Sequence, residues 1–143
     1  FYNFTIPESL GVVATFAPAK PSLLGAVQAL APVLAAGNSA ILIASEKSPL
    51  SAITLSEVIG TSDVPKGVVN ILTGSSAELA PWIGSHMDID GVDASGLTKA
   101  QEKELRIAGA DNLKRIHTFK EAQSPQRVLS FMENKTVWHP IGI

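Results

Sequence analysis

Along this chain, continuous apolar runs of strand length alternate with stretches whose apolar residues recur at helical spacing. Gly11–Ala17 (GVVATFA) reads as a buried strand ending at Pro18 and Pro21. Leu23, Leu24, Val27, Leu30, Ala31 and Leu34 then mark one helix, with Ser22 as its expected N-cap, Gly37 in the C′ position and Pro32 as an expected kink. Ser39–Ala44 (SAILIA) fits a second strand, Pro49–Gly60 a second helix, and Gly67–Leu72 (GVVNIL) a third strand closed by Gly74. Ser76 is expected to cap a helix reaching His86, and a fourth strand fits Ile89–Ala94. Thr98–Ala108 reads as a polar helix and Arg115–Phe119 as a fifth strand. A helix over Pro125–Glu133 and a strand over Thr136–Ile141 finish the pattern.

Strands that read as unbroken apolar runs, separated by helices, imply a mainly parallel sheet covered on both faces by right-handed crossovers. The expectation is a doubly wound, Rossmann-like α/β fold with a C-terminal extension strand. Its cofactor-type domain would occupy residues 1–123, and residues 124–143 would form a helix and strand suited to an oligomerisation tail. In such folds ligands bind beyond the carboxyl ends of the strands. The segments to inspect are therefore 18–22, 45–47, 74–76, 95–98 and 120–123.

Composition narrows the classes of function. The chain has 143 residues, 45% of them hydrophobic and 17% charged, with a net charge of −2, which describes one globular domain with a substantial buried sheet. No Lys/Arg run exceeds the pair Lys114, Arg115, so the basic footprint of a nucleic-acid binder is missing. There is no cysteine, which removes disulfides, thiolate metal sites and thiol nucleophiles and makes a cytoplasmic location the default expectation. The uncharged stretch Ser22–Ser45 is long enough to raise the question of a membrane span. Pro32, Gly37 and Asn38 split it into a helix-length and a strand-length piece, so no membrane segment is expected. A start at Phe1 reads as a fragment or processed product.

Few groups are placed for chemistry. Glu46, just past the second strand, stands where an acidic side chain of a dinucleotide fold accepts hydrogen bonds from the adenosine ribose. The turn at Ala17–Pro21, however, lacks the Gly-x-Gly-x-x-Gly that cradles a pyrophosphate. His86, Asp88 and Asp90 alternate as metal ligands could, but a helix end followed by a turn explains them better, and no metal site is expected. His117 and His139 fall on apolar strand runs where packed, hydrogen-bonded histidines are usual, and no Gly-x-Ser-x-Gly elbow is present.

GVVATFAP, LAPVLAAGN at Leu30–Asn38, SEKSPLSA at Ser45–Ala52 and PKGVVNILTG at Pro65–Gly74 together resemble the cofactor-binding domain of NAD(P)-dependent aldehyde dehydrogenases. The order and spacing continue through Ser85, His86, Asp88 and Asp90 to Asn112–Arg115. What the resemblance implies is an oxidoreductase scaffold with its reactive groups missing. The family uses a cysteine thiolate as nucleophile, an amide and a backbone N–H for the oxyanion, and a glutamate base. Its Pro-Trp-Asn falls on Pro18, Ala19 and Lys20, its glutamate falls on Phe119, and its nucleophile has no counterpart. No catalytic residue is therefore assigned.

The resemblance places a weakened NAD or NADP site on Pro18, Lys20, Glu46, Gly74, Ser95 and Gly96. The family's lysine after the second strand becomes Ile43, its Phe-Thr-Gly-Ser becomes Ala94–Leu97, and a later glycine becomes Gln101. Each lost contact to a charged group removes roughly 1.5–3 kcal/mol, so the expectation leans against functional dinucleotide binding. Glu133–Val137 resembles a Glu-x-Lys-Thr-Val segment from the family's far C-terminal end, which pairs with a neighbouring subunit. Here it either does so or completes the domain's own sheet. The implied role is a non-catalytic assembly or regulatory subunit, as a homodimer or beside an active dehydrogenase subunit. The alternative is the NAD(P)-binding part of an aldehyde oxidoreductase completed by another chain.

Overall fold

The run that reads as the first strand, together with its apolar successors, builds the centre of a five-stranded parallel sheet in the computed structural model, which describes residues 1–121 and 123–142. The elements in order are β1 (Tyr2–Ser9), β2 (Val12–Phe16), α1 (Ser22–Ala35), β3 (Ser39–Ile43), α2 (Leu50–Gly60), β4 (Val69–Leu72) and α3 (Ser76–Ser85). They continue as β5 (Gly91–Asp93), α4 (Lys99–Ala108), a 3-10 turn (Ala110–Asn112), β6 (Arg115–His117), α5 (Pro125–Leu129) and β7 (Met132–His139). The parallel sheet has the order β4-β3-β2-β5-β6. Its order reverses at β2, whose neighbours are β3 (Val12 opposite Ser39) and β5 (Val13 opposite Gly91). That reversal is the switch point at which doubly wound sheets open a crevice.

Side chains of β2 alternate between two cores, as strand pleating requires. Ala14 and Phe16 join Val92, Ala80, Ile83 and Leu105 beneath α3 and α4, while Val13 joins Ala40, Leu30, Val33, Ala36 and Phe131 on the α1 side. Helix α1 lies close because Gly25 has no side chain, since a Cβ there would meet Pro18 Cγ at 2.4 Å. It ends at Gly37, whose φ of +83° supplies the left-handed residue the helix exit needs. Buried Asn38 then ties three segments: its Oδ1 accepts from Gly11 N–H (2.8 Å), and its Nδ2 donates to Val33 O (3.2 Å) and Phe131 O (2.9 Å).

The structure departs from the sequence expectations at identifiable points. Residues Tyr2–Ser9, to which the pattern assigns nothing, form β1. The tail strand is β7, which starts earlier than Thr136 and pairs antiparallel with β1 from Tyr2 opposite His139 to Ser9 opposite Met132. It therefore forms a separate two-stranded ribbon and leaves the parallel sheet at five strands. The helix expected to reach Glu133 stops at Leu129, because the chain turns there to bury Phe131. Ser22 is the first helical residue rather than the cap, Pro21 holding that position, and Ser75 rather than Ser76 precedes α3; neither helix has a side-chain cap. His139 is exposed, with its ring stacked on Phe4 at 6.4 Å, so it is not a packed core histidine. No helix among the described residues is long and apolar enough to cross a membrane.

Candidate functional site

Among the cavities formed by the described residues at the carboxyl end of the sheet, two flank the end of β2. The larger, of about 330 Å³, is bounded by Ala17, Ala19, Glu46, Ser76, Gly96 and Gln101, among others. Glu46 follows directly from β3, is exposed, and accepts a hydrogen bond through Oε2 from the backbone N–H of Ser76, the first residue of α3 (3.3 Å). An anion is favoured at that helix end. Gly96 crosses the end of β2 so tightly that a Cβ would lie 2.2 Å from Phe16 O. Its glycine is dictated by close backbone approach before any ligand is considered.

At the start of α4, which borders the same cleft, Thr98 and Gln101 form a reciprocal capping box. Gln101 Oε1 accepts from Thr98 N–H (2.9 Å) and from Thr98 Oγ1 (2.9 Å), and Thr98 Oγ1 accepts from Gln101 N–H (3.4 Å).

The smaller cavity, about 140 Å³, is lined by Pro18, Gly25, Gln28, Ser95, Phe119, Lys120 and Arg127, with Phe16 and Ala29. Arg127, on its wall, forms a buried ion pair with Asp93, the two side chains being 6% and 1% exposed. Asp93 also accepts from Ser95 N–H (2.9 Å), and Ser95 Oγ accepts from Phe119 N–H (2.8 Å), which joins the ends of β5 and β6. The Arg127 guanidinium lies 5.1 Å from the Phe119 ring centre, a cation–π distance. Phe119 in turn meets His117 (5.8 Å) and Phe131 (6.1 Å, edge to face). Burial, reinforced by the Arg106 and Arg115 charges and opposed by Asp93, pushes the His117 imidazole below its ordinary pKa.

Of the residues singled out from the sequence, Glu46 and Gly96 share the larger cleft, and Pro18 and Ser95 share the smaller pocket. Lys20 is exposed and borders neither, and Gly74, whose Cβ position faces Leu79, also lies outside both. Ile43 is fully buried in the sheet core, so no cation stands at that place. Among the described residues no three His, Cys, Asp or Glu side chains converge to hold a metal. His86 Nδ1 accepts from Asp88 N–H (3.2 Å), and Asp90 Oδ2 accepts from Val12 N–H (2.8 Å). Ala122, within the segment 120–123, lies outside the described residues. The Asp93–Arg127 pair escaped the sequence reading, although its signal was present: an aspartate inside an apolar run on a central strand needs a buried partner.

Comparison with known proteins gives one answer at the level of sequence and of fold. The profile of the Aldehyde dehydrogenase family matches residues 1–138. The NADP/NAD-dependent aldehyde dehydrogenase PuuC of Escherichia coli strain K12 is 41% identical over 111 residues, covering 78% of this chain and 22% of that protein. Horse aldehyde dehydrogenase 1A1 is 35% identical over 125 residues, covering 87% of this chain and 25% of that protein. Among solved structures, a Pseudomonas syringae aldehyde dehydrogenase C variant complexed with NAD+ and octanal superposes with a TM-score of 0.72 at 29% identity, covering 80% of this chain and 23% of that one. The chain thus spans about a quarter of the length of the relatives it matches.

Proposed function

Because the chain belongs to the aldehyde dehydrogenase family, we propose that it acts as a non-catalytic assembly or regulatory subunit, either as a homodimer or beside an active dehydrogenase subunit. The observation that carries this reading is Phe119. The resemblance puts the family's base at that position, and here a phenyl ring packs against His117 and Phe131 beneath the Arg127 guanidinium. A ring cannot take a proton, and its packing favours leaving the pocket small and rigid. Lys20, at the place of the oxyanion amide, is exposed and borders neither cavity.

Support for assembly comes from the β1–β7 ribbon. It has only two strands among the described residues, and most of its side chains are exposed, Tyr2 and Trp138 included. Such a ribbon is marginal alone and presents outer edges for another strand. On this reading residues 1–123 are a cofactor-type scaffold and residues 124–143 an assembly tail. Native mass measurement on the 143-residue chain, alone and mixed with a full-length aldehyde dehydrogenase subunit, tests it. A homodimer or mixed complex is expected, and monomers under both conditions overturn the proposal.

The second reading, an NAD(P)-binding part completed by another chain, is favoured by Glu46 and Gly96 sharing one cleft. Micromolar dinucleotide affinity by calorimetric titration would replace the first reading with this one.

A further inference from the structure

The larger cleft has two ends of different character. At one end Glu46 offers a carboxylate at the position suited to ribose hydroxyls, and its own bond to Ser76 N–H is long (3.3 Å) and exposed, so it yields to a competing donor at little loss. At the other end lies the start of α4, which the family resemblance makes the diphosphate end of the cleft, since backbone N–H groups at a helix start suit an anion. Here the chain supplies its own acceptor. The Gln101 carboxamide oxygen lies 2.9 Å from both the Thr98 N–H and the Thr98 hydroxyl, and Gln101 itself borders the cleft. That oxygen carries the negative end of the amide dipole into the place an anion would take. The residues at this end therefore do not fit a dinucleotide's diphosphate.

We propose that Gln101 is the specificity-determining residue of this cleft, shutting it to diphosphate-bearing ligands while leaving the Glu46 end open to a nucleoside. The inference rests on the cleft being the family's nucleotide position. A diphosphate reaches the Thr98 N–H only after the Gln101 side chain swings out and gives up two hydrogen bonds. At about 1 kcal/mol net for each bond, that penalty weakens binding by about 30-fold. A nucleoside seated at Glu46 has no group that needs the α4 terminus, so it escapes the penalty.

The experiment titrates the 143-residue chain and its Gln101→Ala and Gln101→Asn variants with ADP and with adenosine, followed by calorimetry and by ligand-observed NMR into the millimolar range. Alanine keeps helix propensity, and asparagine keeps the amide but shortens its reach, with far-UV circular dichroism verifying that both variants fold. ADP should bind both variants at least about 10-fold more tightly than the wild type, with adenosine affinity unchanged within about twofold. ADP affinity that fails to rise in either folded variant overturns the inference, as does an equal rise for adenosine. Adenosine separates the two levels of failure. If it binds the wild type while ADP gains nothing, the role of Gln101 falls and the nucleotide cleft stands. If neither ligand binds any form, both fall.

Discussion

Replacing Arg127 with methionine should remove more stability than almost any other single change outside the apolar core. Methionine preserves much of the side chain's apolar length but leaves Asp93, 1% exposed, without its guanidinium partner. Breaking a buried ion pair from one side is worth about 3–5 kcal/mol, because the remaining charge stays desolvated. Loss of the cation from the Phe119 face adds about 1 kcal/mol. Against a total domain stability of about 5–15 kcal/mol this is a large share. With a urea dependence of about 2 kcal/mol per molar, the unfolding midpoint should fall by about 2–3 M. Far-UV circular dichroism is the right probe, since Trp82 and Trp138 are 72% and 66% exposed and report little on the core. The double variant Asp93→Asn with Arg127→Met removes both charges and should recover at least half of the loss. A loss below about 1 kcal/mol for the single variant, or no recovery in the double one, refutes the assignment of this pair as the electrostatic anchor of the smaller pocket.

Three further outcomes follow from the same geometry. Gly96→Ala drives a methyl group into the Phe16 carbonyl, with only 2.2 Å available, and should lower the urea midpoint by the equivalent of about 1–3 kcal/mol whether or not a ligand is present. Asn38→Ala leaves the Gly11 N–H and two buried carbonyls short of a partner and should destabilise by about 2–3 kcal/mol, with faster amide exchange in β2 and β7 together. For His117, a folded-state pKa below the ordinary value of 6.5 means the unfolded chain binds the proton more readily. Its contribution to stability is therefore intact above about pH 6.5 and declines as pH falls from there through the depressed folded value. Comparing urea midpoints at neutral pH and near pH 5.5 should show a smaller acid loss in His117→Gln than in the wild type, and equal losses would contradict the assignment.

The parallel sheet was readable because its strands are apolar runs between helix-period segments, a pattern that survives without any knowledge of neighbours. Strand ends were less readable: Phe119 extends the apolar run of β6 but has left the ladder, turning instead to meet Phe131 and Arg127. β1 was invisible for a physical reason. Its residues, such as Asn3, Thr5 and Glu8, alternate weakly because both faces of a two-stranded ribbon meet water, and its partner lies more than a hundred residues away. The polar face of α4 reads as solvated, yet Arg106 donates to Ile116 O (3.1 Å) and Glu102 accepts from Thr118 (2.8 Å), binding that helix to β6. Arg106 and Thr118 also hold the Glu102 carboxyl below its usual pKa. Glu46 and Gly96 could be placed in one cleft from topology alone. That Gln101 folds back upon its own helix start could not, because glutamine at that position is equally content in solvent.

The pairing of Tyr2–Ser9 with Met132–His139 also sets a timetable. Within these 143 residues β1 is synthesised first and its partner last, so the strand must wait, unpaired, while the parallel sheet forms from local crossovers. Closing so long a loop carries an entropic penalty that the nearby βαβ units do not share. The ribbon should consequently zip late and fray early, and in that interval β1 is free to be captured by a strand from another polypeptide.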